Sequence, residues 1–137
     1  DPQSRHQLWE RLEGLRAGGL SILLTTHYME EASRLCDRLI IMDHGRILVE
    51  GSPRDLIREH AGKDIIEVGE PGEELRAFVR DRGLRHDDLG HRIIIYCDER
   101  DRLYRELSGR CGRDGCILRT ATLEDVFLKL TGRELRE

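Results

Sequence analysis

The chain has 137 residues, which fits one ordinary domain or two small ones, and charged side chains make up 36% of it. The mean hydropathy is −0.55, and no uncharged apolar run approaches the roughly 20 residues that a bilayer crossing requires. The composition therefore predicts a chain that reaches a membrane only through a partner. The net charge of −4 offers no overall basic surface for nucleic acid.

The ends and the cysteines of the chain bear on its origin. Without an initiating Met or a leader peptide, the sequence is expected to be a piece of a longer, cytoplasmic protein. Irregular spacing and apolar surroundings favour reduced core thiols over a disulfide framework for Cys36, Cys97, Cys111 and Cys116. The weaker alternative is a zinc site built from Cys111, Cys116, His86 and His91. The long spacing of the cysteine pair argues against it.

The first 62 residues follow an α/β pattern. Asp1 and Pro2 predict the N-cap and the first position of a helix that ends at Gly18. The apolar run at residues 20–26 predicts a strand covered on both faces in a parallel sheet, with His27 just past its carboxyl end. There follow a helix over 29–36, a strand over 39–42, a turn over 43–46, a strand over 47–49 and a helix from 52 to 62.

From residue 63 the pattern changes to a second, α+β unit. Strands are predicted over 65–68, 91–97 and 116–120, and helices over 73–82, 100–108 and 123–130. A further strand at 84–88 would make the order β-α-β-β-α-β, the ferredoxin-like arrangement. We therefore expect two domains, residues 1–62 and an accessory domain over residues 63–137.

The strongest functional signal is a histidine between a strand and an acidic helix. Residues 23–32 read LLTTHYMEEA, and they are followed by CDR at 36–38 and MDHGR at 42–46. This order and spacing resembles the switch-histidine region of the ATP-binding-cassette (ABC) ATPases. The resemblance implies that His27 contacts the γ-phosphate of ATP. Asp1 resembles the family's D-loop aspartate, which lies between two ATPase subunits.

A histidine at this position also has a physical rationale. Open α/β sheets bind ligands beyond the carboxyl ends of their strands, where an imidazole N–H can donate to phosphate oxygens. An isolated histidine would more simply be structural or solvated, but the pattern that flanks His27 favours the functional interpretation. The other five histidines are expected to be structural or solvated: His6, His44, His60, His86 and His91.

The other parts of a P-loop ATPase do not occur in the sequence. There is no G-x-x-x-x-G-K-[ST] motif, and Gly62-Lys63 has Ile57 in place of the first glycine and Asp64 in place of the hydroxyl. The LSGR at residues 107–110 echoes the ABC signature but lies downstream of the histidine, against the family's order. We expect this chain alone neither to hydrolyse ATP nor to bind it tightly, although the intact protein would use ATP and Mg²⁺.

The carboxy-terminal stretch from Thr122 to Leu135 points to a subfamily. It resembles the terminus of ABC-2 type exporter subunits, most of all those for nodulation factors and drugs. The resemblance implies an ATP-hydrolysing homodimer coupled to a membrane permease subunit, cytoplasmic and peripheral at the inner face of the cell membrane. The cargo stays open. The alternative is a non-catalytic regulatory or dimerisation module in the accessory domain.

Overall fold

The computed structural model describes residues 1–98, 100–111 and 115–133. Glu134 and Leu135, the end of the tail on which the exporter resemblance draws, lie outside the described residues. The helices are α1 (Pro2–Ala17), α2 (Met29–Leu35), α3 (Pro53–His60), α4 (Glu73–Asp81), α5 (Arg100–Ser108) and α6 (Leu123–Thr131). The strands are β1 (Leu39–Asp43), β2 (Arg46–Gly51), β3 (Asp64–Gly69), β4 (His86–Asp88), β5 (Arg92–Cys97) and β6 (Cys116–Thr120).

The strands form two antiparallel sheets. β1 and β2 pair as a hairpin, and the other four strands form a sheet in the order β4-β5-β3-β6. The structure therefore mixes helices with sheets, as the sequence predicts. Among the residues that the structure describes, no helix combines the length and the apolar composition that crossing a membrane would require.

The predicted turn between β1 and β2 is confirmed, and its sequence explains its shape. His44 and Gly45 have φ angles of 48° and 73°. Positive φ at both central residues is the geometry that matches the twist of a two-residue hairpin, and glycine adopts it without a steric penalty. Asp43 and Arg46 face each other across the ends of the strands.

The strand predicted at residues 20–26 is wrong for this structure. The segment belongs to no sheet among the described residues, and Leu23 is 99% exposed. Leu8 and Leu15 of α1 are also exposed. A strand buried in a parallel sheet needs neighbours along its edges and helices on its faces. The described elements supply neither, so the apolar side chains of this region remain uncovered.

One apolar cluster lies between the four-stranded sheet and the helices α4 and α5. Alternate residues of each central strand point to this face, as the period of two in a strand requires. The buried members of this cluster are Ile66, Val68, Leu75, Val79, Ile93, Ile95 and Leu107. The two helices therefore cover one face of the sheet.

A second cluster covers the opposite face and crosses the domain boundary expected at residue 62. The predicted apolar face of the last helix is confirmed, because Val126 and Phe127 of α6 are buried. They pack in one cluster with Ile94 of the sheet and with Ile41 of β1 and Leu56 of α3. Helix α6 thus lies between the sheet and the first 62 residues.

The amino-terminal end of α6 is held by a buried carboxylate. Asp125 is 3% exposed and forms a capping box with Thr122. Its two oxygens accept hydrogen bonds from the Arg119 guanidinium at 2.8 and 2.9 Å. Asp125, with Glu67 also in contact, raises the pKa of Arg119 despite its partial burial. This bidentate pair joins β6 to α6.

The expectation that all four cysteines are reduced is wrong for two of them. Cys111 and Cys116 form a disulfide, and their Cα atoms are 5.9 Å apart. The end of α5 and the start of β6 bring both sulfurs to the carbonyl of Leu107. The weaker alternative of a zinc site at this pair gains no support, because the described part of the chain holds no grouping of His, Cys, Asp or Glu suited to a metal ion.

Cys36 and Cys97 are free and half-buried, in agreement with the expected core thiols. Burial raises the pKa of the Cys97 thiol to about 11, and the neighbouring carboxylates of Asp64 and Asp98 act in the same direction. The thiol therefore stays protonated at neutral pH and reacts slowly as a nucleophile.

Candidate functional site

Trp9 holds α1 against α2, the helix that follows the candidate histidine. Its ring is buried, and its indole N–H donates to Glu31 Oε2 at 2.7 Å. The Arg34 guanidinium lies over the same ring at 5.2 Å and pairs with Glu13 at 3.0 Å. Because these contacts join the two helices, they also fix the position of the turn that enters α2.

The turn that carries His27 is closed by a side chain of the run before it. The Tyr28 N–H donates to Thr26 Oγ1 at 3.0 Å, which is the local bond of a serine–threonine turn. His27 itself is exposed, and its ring lies beside the Tyr28 ring with centroids 4.2 Å apart and a tilt of 33°. Arg5 of α1 covers Tyr28, with its guanidinium carbon 4.4 Å from the ring centroid.

Asp1 caps α1, as the sequence predicts. Its Oδ1 accepts from the Gln3 N–H at 3.1 Å, and its Oδ2 accepts from the Ser4 hydroxyl at 3.2 Å. Its carbonyl accepts from the Arg5 N–H at 3.0 Å. Since Arg5 also lies on Tyr28, the first turn of α1 approaches the His27 turn. The structure therefore brings the two predicted site residues to the same end of α1.

A large groove lies beside this turn and is mainly apolar. It has a volume of about 1040 Å³ and runs between α1, residues 19–27, α2 and β1. Leu12, Leu24 and Met29 are among its lining side chains, and His27 and Thr26 lie within its lining. Such a surface suits packing against other apolar elements rather than the binding of a triphosphate, which requires converging donors.

The residues present fit only one part of an ATP site. The exposed imidazole of His27 can donate to a phosphate oxygen. The described residues offer no cluster of acidic or histidine ligands for a metal, and the sequence has no phosphate-binding loop. The chain's own residues therefore do not fit Mg²⁺.

The two decoy motifs have structural places. Leu107 is fully buried, and Ser108 Oγ donates to the Arg105 carbonyl at the end of α5. Gly62 has a φ of 84°, and its N–H donates to the Ile57 carbonyl to end α3. These contacts agree with the interpretation of LSGR as a helix end and of Gly62-Lys63 as something other than a phosphate loop.

The sequence analysis missed Arg5, Trp9 and Tyr28. Arg5 and Trp9 are four residues apart, so they share a face of α1 that points to α2. The leucines of α1 suggested a different face, and those at positions 8 and 15 turn out to be exposed. The single tryptophan of the chain was the available signal, because so large a side chain is seldom left uncovered.

The comparisons with known proteins agree with the exporter resemblance. Residues 72–132, from the start of α4 to the end of α6, match the family described as "Nodulation factor export protein NodI, C-terminal domain". The match ends within the tail that suggested an exporter. It places this part of the chain in the class of carboxy-terminal domains of exporter subunits.

Relatives match the chain over its whole length. Those named "Nod factor export ATP-binding protein I" from Mesorhizobium japonicum and from Rhizobium sp. are each 47% identical over 139 residues, and one from Burkholderia lata is 45% identical over 143. All of this chain is covered, but only 40%, 45% and 45% of the relatives' own lengths. The resemblance is confirmed: the sequence corresponds to the carboxy-terminal region of the ATP-binding subunit of an ABC exporter.

Proposed function

We propose that the intact protein hydrolyses ATP to drive export, and that His27 contacts the γ-phosphate during the reaction. The observation that carries this proposal is the exposed His27 ring on a closed turn, at the same end of α1 as Asp1. Similarity to ATP-binding export subunits over the full chain supports it. In this role the imidazole N–H is a preorganised donor to the charge that develops on the transferred phosphoryl group.

The proposed partners are a second copy of the subunit and a membrane permease. Asp1 would lie at the interface of the two copies, close to the His27 turn. The protein would then be cytoplasmic and peripheral at the inner face of the cell membrane. Export of Nod factor, the function in the relatives' names, is the first cargo to test.

The division into domains is part of the same proposal. Residues 1–62 would complete an α/β nucleotide-binding domain, whose remaining strands would cover the exposed run at 20–26. The matching share of 40 to 45% of the relatives supports a longer protein that supplies them. Residues 63–137 would form a ferredoxin-like accessory domain, and the strand order β4-β5-β3-β6 supports this.

The alternative function for the accessory domain is regulation or dimerisation without chemistry of its own. The shared cluster of α6 with Ile41 and Leu56 favours regulation, because it connects the accessory sheet to the first 62 residues. Light scattering of the isolated 137-residue chain separates the two: a dimer supports dimerisation, and a monomer supports regulation.

The 137-residue chain should show no saturable binding of Mg-ATP in the micromolar range by calorimetry. The physical reason is that a lone imidazole donor cannot replace the backbone amides, the lysine and the metal ligands that hold a triphosphate. The intact subunit, titrated in the same buffer, is the control and should bind. Micromolar binding by the short chain would contradict this prediction. Absence of ATP turnover by the intact subunit would contradict the proposed function.

A further inference from the structure

We propose that Arg5 and Tyr28 position the His27 imidazole for phosphate contact. This inference rests on the proposed function of His27 and names two residues that would act through it. Tyr28 lies between the other two side chains: the Arg5 guanidinium carbon is 4.4 Å from its ring centroid, and the His27 centroid is 4.2 Å away. The three groups form a continuous stack from α1 to the candidate histidine.

Tyr28 is fixed by its backbone on both sides. Its N–H donates to Thr26 Oγ1 at 3.0 Å, and its carbonyl accepts from the Ala32 N–H at 3.1 Å, the first bond of α2. With both backbone groups bonded, the remaining freedom is rotation of the side chain. The guanidinium of Arg5 restricts this rotation, because a cation is attracted to the face of an aromatic ring.

Arg5 is itself placed by the first turns of α1. Its N–H bonds to the carbonyl of Asp1, and Trp9, one turn further on, is held to Glu31 of α2. Arg5 therefore faces α2 from a helix that is fixed at both ends of this contact. The consequence is that the D-loop candidate and the switch-histidine candidate are linked by direct contacts.

Stacking suits a phosphate donor for a geometric reason. The two ring nitrogens of an imidazole form hydrogen bonds in the plane of the ring. A neighbour that covers a ring face limits rotation of the imidazole and leaves both nitrogens accessible at the edge. Holding the donor in place before the reaction reduces the reorganisation that the transition state requires.

The test is steady-state ATP hydrolysis by the intact subunit and its variants. Tyr28→Leu removes the ring and should lower kcat by about tenfold with KM changed less than about twofold, because the donor acts mainly in the transition state. Tyr28→Phe keeps the ring face and should restore kcat to within about twofold. Arg5→Met should lower kcat severalfold, whereas Arg11→Met, an exposed control on the same helix, should not.

A double variant separates this inference from the proposed function. If the stack acts through the imidazole, His27→Ala combined with Tyr28→Leu should be no slower than His27→Ala alone. Additive losses in kcat would overturn the positioning role, as would normal kcat in Tyr28→Leu while His27→Ala is inactive. Normal turnover in His27→Ala would instead overturn the proposed function itself. A loss in Tyr28→Phe equal to that in Tyr28→Leu would show that the ring face is not the positioning group.

Discussion

Replacement of His27 by alanine in the intact subunit should lower kcat for ATP hydrolysis by about a hundredfold or more, with a much smaller loss of ATP affinity. A single preorganised donor to developing charge is worth about 3 to 4 kcal/mol of transition-state stabilisation, and each 1.36 kcal/mol is tenfold in rate. The exposed ring of His27 is free to meet a phosphate that approaches its turn. Affinity would depend mainly on groups that lie elsewhere in the longer protein.

The measurement is steady-state hydrolysis beside equilibrium binding of nucleotide. His44→Ala is the matched control, since His44 is also exposed but lies in the β1–β2 turn, where its Nε2 is 3.3 Å from the Arg133 guanidinium. It should keep nearly normal turnover. Equal damage in both variants would reject the assignment of His27. Asp1→Ala should act differently, by weakening the coupling between two subunits, seen as a loss of cooperativity in ATP concentration.

Replacement of Asp125 by alanine should lower the free energy of unfolding of the 137-residue chain by about 2 to 3 kcal/mol. Removal of one partner of a buried ion pair leaves the other charge uncompensated, which typically costs about 3 to 5 kcal/mol. The lower figure applies because the Arg119 side chain is 29% exposed and also contacts Glu67 at 3.4 Å. The capping bond to Thr122 is lost in the same change.

Chemical denaturation followed by circular dichroism would measure this effect. Glu124→Ala is the control: it removes the same charge from the same turn of α6, but Glu124 is exposed. Its effect should stay within about 0.5 kcal/mol. Equal destabilisation by the two variants would mean that the helix dipole, and not the buried pair with Arg119, carries the contribution of Asp125.

The sequence predicted those parts of the fold that depend on local chemistry. The turn at His44 and Gly45, the cap of α3 by Ser52 and the alternating strands of the accessory sheet were all foreseen, because each depends on residues close together in the chain. The run at 20–26 was misassigned as a paired strand. Its apolar composition is suited to a sheet, but pairing depends on distant strands that composition does not supply.

The candidate site divides in the same way. His27 and Asp1 were identified by a resemblance that extends over a short segment, and their roles stay predictions. Arg5 and Tyr28 could not be placed together from the sequence, because their contact depends on how α1 packs on α2. The disulfide was also missed. Its two cysteines are close in sequence, but only the geometry of the α5–β6 connection brings their sulfurs together.

The position of α6 has a consequence for the order in which the chain matures on the ribosome. α6 follows every other described element, yet it covers Ile41 and Leu56, which are synthesised well before it. Domains emerge amino-terminal end first, so these side chains stay uncovered until Val126 and Phe127 leave the exit tunnel. During that interval the nascent chain exposes apolar surface on both the hairpin and α3. A premature stop before residue 123 would make that exposure permanent and direct the product to chaperones or proteases.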